Sequence, residues 1–187
     1  MEYDLIGDLR SRAARLAVGA STARGKGNKG VVEAARKYFV CIDLHEMACC
    51  SVATYSLFLD RHTDWMLAKL PEGARRWGLA RKLINIYLRD VVYSRHLCDH
   101  FRGIAELESL LELPLDSLTG KGLYNLGASV PPWPGVKALR HEESAQYQSA
   151  ASNIALAHGI ARVHLDAALW GNREAHALKT NEVHGNR

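Results

Sequence analysis

Hydrophobic residues recur every three or four positions along most of this chain, which is the spacing of one buried face of an α-helix. Leu79, Leu83 and Ile86 show this spacing in one stretch. No window shows a strand-like alternation strong enough to compete with it. The spacing predicts an all-α fold of about eight helices in two lobes with a central cleft. The predicted helices cover residues 3–17, 31–59 as one helix or two, 62–70, 78–102, 104–112, a segment that begins at Asp116, 140–157 and 160–170.

One interruption of the helical pattern predicts where the two lobes meet. Between Gly127 and Gly135, three prolines surround Trp133, which indicates an irregular loop. We therefore expect a single domain over residues 1–187. The expected parts are a first lobe at about 61–126, a second lobe made of about 3–60 and 127–172, and a frayed tail at 173–187.

Composition is that of a globular protein. Hydrophobic residues make up 48% of the 187 residues and charged residues 24%. The net charge of +4 and the pI near 8.9 are compatible with a nucleic-acid partner without establishing one. The most apolar window, residues 40–59, contains Asp43, His45 and Glu46, so we expect a buried helix there and no membrane association.

The cysteines and histidines do not predict a metal site or a disulfide framework. Cys41, Cys49, Cys50 and Cys98 lack the spacing of either, and we expect a reduced, cytoplasmic compartment. His96 and His100 share one helical face, but no further ligand pair accompanies them. We expect no metal, no cofactor and a monomeric protein.

Candidate chemistry concentrates between residues 77 and 117. Trp77-Gly78 opens an amphipathic helix that continues Leu-Ala-Arg-Lys, and Gly78 would let the backbone approach a ligand closely. A helix N-terminus flanked by cations is a natural phosphate site. Further on, Leu-Pro-Leu-Asp-Ser places Asp116 just after a proline and at the predicted start of another helix.

These two motifs resemble the helix-hairpin-helix superfamily of DNA glycosylases. The resemblance implies that the hairpin before Gly78 grips DNA phosphates and that Asp116 serves base excision. It also implies that Lys82 corresponds to the lysine that forms a Schiff base with the sugar in bifunctional members. The superfamily's iron–sulfur branch requires spaced cysteines near the C-terminus, whereas the last cysteine here is Cys98, so no cluster is expected.

Each of the two catalytic candidates has a simpler structural interpretation. Asp116 would act as a helix N-cap, which is compatible with catalysis because capping donors hold a carboxylate ionised. Lys82 would be a phosphate ligand instead of a nucleophile. Asp166 is a rival carboxylate, but it lies inside a predicted helix with no proline before it.

The expected partner is double-stranded DNA carrying a modified base. The glycine-rich stretch 21–30 is either a surface loop or a mobile basic loop that touches DNA, and Trp133 is either a stacking surface for a base or a plug in the core. The expected DNA-binding residues are Arg75, Arg76, Trp77, Gly78, Arg81, Lys121, Lys26 and Lys29. The expected base-pocket residues are Asn28, Asn85, Trp133 and Gln146.

Three functions remain open from the sequence. The size and motifs resemble compact glycosylases that defend bacteria against phages by excising α-glucosyl-hydroxymethylcytosine and leaving an abasic site. The second is an oxidised-guanine glycosylase or lyase. The third is a non-catalytic helical module that only binds DNA.

Overall fold

The structure is a computed structural model that describes residues 3–19 and 30–170, and it is all-α, as predicted. Within those residues there is no β-strand. The α-helices are α1 (Leu5–Ala17), α2 (Val31–Phe39), α3 (Leu44–Ala48), α4 (Val52–Lys69), α5 (Trp77–Val92), α6 (Arg95–His100), α7 (Ser117–Asn125) and α8 (His141–Ala157), and residues 165–170 are also helical. The same described residues include three short 3-10 helices, at Glu72–Ala74, Ala105–Leu110 and Arg162–His164.

Most differences from the predicted helices lie at breaks that hydrophobic spacing does not reveal. The predicted helix at 62–70 is the second half of α4. The predicted helix 78–102 ends at Val92, because Ser94 adopts an extended conformation and starts α6. The Cys98 thiol donates to the Val92 carbonyl at 3.2 Å, which satisfies a group that the break leaves without a helical partner. The segment predicted at 104–112 is the 3-10 helix Ala105–Leu110.

Helix α5 runs through the centre of the main core. It contacts α1 and α4 most extensively, and Leu79, Leu83 and Tyr87 are fully buried on it. The Tyr87 ring stacks on Phe39 of α2 with 4.5 Å between centroids. Each such side chain stabilises the fold by about 1.5–3 kcal/mol through burial, which makes α5 a rigid support for the side chains on its other face.

A smaller apolar cluster joins α7 and α8 and begins at Leu113, while Val136 and Val163, later in the chain, belong to the main core. It divides the chain differently from the predicted lobes, whose boundary at residue 60 would fall inside the 18-residue helix α4. Trp133 packs against both clusters and stands edge-on to Tyr147, with 5.3 Å between ring centroids. A Cβ at Gly120 would lie 2.4 Å from the Trp133 ring, so the loop at 127–135 is anchored on α7 by a plugging tryptophan.

None of the helices within residues 3–19 and 30–170 combines the length and the hydropathy needed to cross a membrane.

Candidate active site

Lys82 and Asp116 meet at the wall of a cavity. Lys82 Nζ lies 3.1 Å from Asp116 Oδ2, and the two side chains are only 8% and 13% exposed. Lys82 comes from the middle of α5, whereas Asp116 comes from the segment that leads into α7. The two catalytic candidates of the sequence are therefore in direct contact, and their chemical roles remain predictions.

Asp116 is held in place by the start of α7. Its Oδ1 accepts from the backbone N–H groups of Leu118 at 2.8 Å and Thr119 at 3.2 Å. In return, the Thr119 hydroxyl accepts from the Asp116 backbone N–H at 2.8 Å and donates to the Pro114 carbonyl at 3.0 Å. The prediction that Asp116 begins a helix is confirmed. Because Oδ1 serves the cap, Oδ2 is the oxygen presented to Lys82.

Gln148 of α8 fixes the chain just before Asp116. Its side-chain amide accepts from the Leu113 backbone N–H at 2.9 Å and donates to the Leu113 carbonyl at 2.8 Å. Both residues are buried, so neither backbone group has access to water. Sequence reasoning missed Gln148, because a glutamine inside a helix carries no local sign of a distant backbone partner.

The environment of Asp116 favours its ionised form. Burial by itself would raise the pKa of the carboxyl, but the Lys82 ammonium and the two backbone donors outweigh burial and lower the pKa below its usual value. Asp116 is therefore a carboxylate at neutral pH. A carboxylate in this state can stabilise positive charge that develops beside it.

The cavity beside this pair measures about 440 Å³. That is within the range of roughly 300–1,000 Å³ typical of small-molecule sites. It lies between the C-terminal end of α1, one face of α5, the 114–116 segment and the helical residues 165–170. Its lining residues are Leu16, Ala17, Lys82, Ile86, Arg89, Asp90, Tyr93, Pro114, Asp116, Asp166, Ala167 and Trp170.

A cluster of three charged side chains, Arg89, Asp90 and Asp166, lines the same cavity. Arg89 binds Asp90 Oδ1 through Nε at 3.0 Å and Nη2 at 2.8 Å, and its Nη1 binds Asp166 Oδ2. Burial raises the pKa of Asp166, an effect that Arg89 reduces and that the Asp116 charge reinforces. Of the three carboxylates that line the cavity, Asp116 has a lowered pKa, whereas burial raises the pKa values of Asp90 and Asp166.

Asp166 is consequently part of the site, although its place inside a predicted helix counted against it in the sequence. The cavity face of α5 carries Lys82, Ile86, Arg89 and Asp90, and Tyr93 caps its C-terminal end. These positions follow helical spacing from Lys82, so that spacing was the available signal for Arg89 and Asp90.

Arg81 and Asn85, expected at DNA and at the base pocket, point away from this cavity. Arg81 is 6% exposed and donates to Glu112 through Nε and Nη2, both at 2.8 Å, and to Asp60 through Nη1 at 2.7 Å. Asn85 donates to the same Glu112 at 2.9 Å. Both residues therefore belong to a buried polar network. Because the guanidinium of Arg81 binds carboxylates of the protein, it is not available to a DNA phosphate at the surface.

Gly78 is also buried, and its close neighbour is protein. A Cβ at this position would lie 2.5 Å from the Val136 carbonyl oxygen and 2.8 Å from Leu139 Cβ. The glycine therefore lets α5 pack against the 136–139 turn. The expected close approach of DNA to Gly78 has no support in this geometry, and substituting Gly78 would test packing instead of phosphate binding.

Among the other expected DNA-binding residues, Arg75, Arg76 and Lys121 are exposed. Arg75 and Arg76 precede α5, the helix that carries Lys82. A contact between these two arginines and DNA phosphates remains a prediction. Trp77 is half-buried and stands edge-on to His141, with 5.4 Å between ring centroids.

The remaining expected pocket residues do not line the cavity. Trp133 is the plug between the two apolar clusters, and exposed Gln146 lies on a separate groove with Ser149 and Asn153 of α8. The predictions for Lys26, Asn28 and Lys29 lie outside the described residues.

Two further observations bear on the chemistry of the site. In the part of the chain that the structure describes, no three His, Cys, Asp or Glu side chains converge to hold a metal ion. Comparison with family models, with curated proteins and with solved structures finds no match to this chain. The chemistry of the cavity residues is accordingly the basis for assigning a function.

Proposed function

We propose that this protein is a DNA glycosylase that accepts an extruded, modified base and cleaves its N-glycosidic bond. The observation that carries the proposal is the Lys82–Asp116 pair at the wall of a cavity of about 440 Å³. A base must leave the DNA stack to react, and a cavity beside the catalytic groups would receive it.

The charges of the cavity suit a reaction that builds positive charge on a sugar. Three carboxylates (Asp90, Asp116 and Asp166) and two cations (Lys82 and Arg89) line it. When the N-glycosidic bond breaks, its electron pair leaves with the base and C1′ becomes positively charged. Ionised Asp116 would stabilise that charge, and it would orient the water whose oxygen then bonds to C1′.

Lys82 has two possible roles in this scheme. As an ammonium it would hold Asp116 in place while water attacks, and the product would be an intact abasic site. For Lys82 to attack C1′ itself, its Nζ must first lose a proton, and Asp116 Oδ2 at 3.1 Å is the acceptor in contact with it. The amine would then bond to C1′ as the bond to the base breaks, and opening of the C1′–O4′ bond of the sugar would convert this adduct into an imine that permits strand cleavage. A surface phosphate ligand is the least suitable role, since Lys82 is 7% exposed.

For the substrate we propose α-glucosyl-hydroxymethylcytosine of phage DNA, which would place the protein in anti-phage defence. The polar and charged lining of the cavity supports a base that bears hydroxyl groups, because each buried hydroxyl requires a hydrogen-bond partner. Oxidised guanine is the second candidate, favoured by the aromatic side chains of Tyr93 and Trp170 at the same cavity.

The test is incubation of the protein with three DNAs: phage DNA with glucosylated hydroxymethylcytosine, unmodified DNA and an oxoguanine duplex. Free base is expected from the first alone, and Asp116→Asn should abolish its release while DNA binding persists. Release from oxoguanine alone would replace the substrate assignment. Binding without release from any DNA would contradict the enzymatic proposal and leave a DNA-binding module.

Borohydride added to the productive reaction distinguishes the two roles of Lys82. A covalent protein–DNA adduct that Lys82→Met removes would show imine chemistry. Intact abasic sites without an adduct would show that water is the nucleophile.

A further inference from the structure

A chain of three polar side chains ends in the cavity at Tyr93. The Tyr93 hydroxyl lies 2.7 Å from His164 Nδ1, and His164 Nε2 lies 2.9 Å from Glu108 Oε1. The three residues come from the C-terminal end of α5 and from the 3-10 helices Arg162–His164 and Ala105–Leu110. The Tyr93 and His164 rings are nearly parallel, at 14°, with 5.7 Å between centroids. Tyr93 is therefore fixed from outside the cavity, although its side chain is about half exposed.

The order of these contacts determines which hydrogen bond Tyr93 can make. In the tautomer of His164 that carries its hydrogen on Nε2, this atom donates to the Glu108 carboxylate. Nδ1 of the same tautomer has a lone pair and accepts from the Tyr93 hydroxyl. With its own hydrogen used in this way, the phenol oxygen keeps lone pairs and can only accept a further hydrogen bond.

The position of Tyr93 indicates which part of a ligand it would meet. Tyr93, the residue that caps the C-terminal end of α5, follows Lys82 by 11 residues, a rise of roughly 16 Å along the helix axis. A sugar whose C1′ lies near Asp116 leaves Tyr93 facing the far side of the extruded base. Asp90, another acceptor, lines the cavity near the same end of α5.

We infer that Tyr93 is a specificity-determining residue that accepts a hydrogen bond from a donor group on the extruded base, and that His164 and Glu108 are its positioning residues. This inference rests on the proposed function. The donor is either a hydroxyl of a sugar substituent or a ring N–H or amino group of a purine.

The experiment measures kcat and KM for base release by Tyr93→Phe, which removes the oxygen and keeps the ring. Duplexes carry glucosylated hydroxymethylcytosine, unglucosylated hydroxymethylcytosine or oxoguanine. KM should rise about five- to tenfold on the accepted base while kcat changes little, because the hydrogen bond that is removed is remote from the bond that breaks. His164→Phe should raise KM on the same duplex, and adding Tyr93→Phe to it should raise KM no further. Tyr124→Phe, at an exposed tyrosine of α7, is the matched control.

A rise in KM on the glucosylated duplex would identify a hydroxyl donor, and a rise on oxoguanine would identify a ring donor; both support the inference. An unchanged KM for Tyr93→Phe on every base that the wild type releases would overturn it and leave the proposed function standing. If His164→Phe lowers only thermal stability, the positioning role is overturned. If the wild type releases no base at all, the proposed function fails, and this inference fails with it.

Discussion

Lys82 and Asp116 stand 34 residues apart in the chain and 3.1 Å apart in space, as a buried ion pair. Each residue has a second attachment that fixes its position: Lys82 sits on the central helix α5, and Asp116 caps α7. The pair therefore couples the main core to the smaller α7–α8 cluster. A catalytic pair in this position would be rigid before any substrate arrives.

The first prediction separates the charge of Asp116 from its capping role. Asp116→Asn keeps an oxygen that can accept from Leu118 and Thr119, but it removes the ion-pair partner of the buried Lys82. Base release should fall by on the order of a hundredfold or more. The free energy of unfolding should fall by about 3 kcal/mol, as measured by urea denaturation.

The control for this prediction is a double-mutant cycle with Lys82→Met. Removing both charges should destabilise the protein much less than the sum of the single changes, because no unpaired buried charge then remains. If the two substitutions change the free energy of unfolding additively, Lys82 and Asp116 do not interact in solution.

Asp116 and Asp166 should affect stability in opposite ways as pH changes. The folded state lowers the pKa of Asp116 below its usual 3.8, so its contribution to stability is fully present above pH 3.8 and is lost as pH falls through the folded pKa. The folded state raises the pKa of Asp166 above 3.8, so the folded protein keeps a proton there that the unfolded chain has released. Asp166 therefore reduces stability as pH rises from 3.8 through its folded pKa, and the reduction is constant above that pH.

Urea denaturation of the wild type and of each Asp→Asn variant, between about pH 4 and pH 7.5, measures this contrast. Relative to the wild type, Asp166→Asn should gain stability as pH rises. The deficit of Asp116→Asn should stay nearly constant over the same range. Parallel pH profiles for the two variants would contradict the opposite pKa shifts.

Gln148 should control both stability and activity through Leu113. Gln148→Leu removes the amide that binds the Leu113 N–H and C=O, and each buried group left without a partner costs about 1–3 kcal/mol. The segment that leads to Asp116 would also lose its anchor, so base release should fall at least tenfold at a temperature where the variant is folded, since small displacements of reacting groups are costly. Gln146→Leu, at an exposed position two residues earlier on α8, is the matched control and should change neither quantity.

Arg75 and Arg76 should contribute to DNA binding through phosphates. Both are exposed at the start of α5, and replacing either with alanine should weaken binding to any duplex sequence. The slope of log Kobs against log salt should become shallower by about 0.9 for each phosphate that the variant no longer neutralises. Arg95→Ala provides the control, since this exposed arginine pairs with Asp99 on α6. If the wild type and the three variants all give the same slope, the segment that holds Arg75 and Arg76 is not part of the DNA interface.

The sequence by itself determined those helices and helix ends that depend on interactions between residues a few positions apart. Hydrophobic spacing predicted the all-α class and closely located α1 and α8, because a helix needs one apolar face wherever it packs. The start of α7 was also predictable, because Asp116 and Thr119 exchange capping hydrogen bonds within one turn. The resemblance suggested Lys82 and Asp116 individually as catalytic residues, but neither it nor any local pattern predicted the contact between them.

Only the tertiary structure decided which charged side chains are buried and what they face. Arg81 and Lys82 are neighbours in the sequence, yet Arg81 turns to Glu112, 31 residues later, while Lys82 turns to Asp116. Arg89 likewise finds Asp166 at a separation of 77 residues. The energy of such a contact depends on a partner brought from another helix, so the sequence around each residue does not encode it. For the same reason, Gly78 resembled a phosphate-binding glycine until the fold placed the 136–139 turn against it.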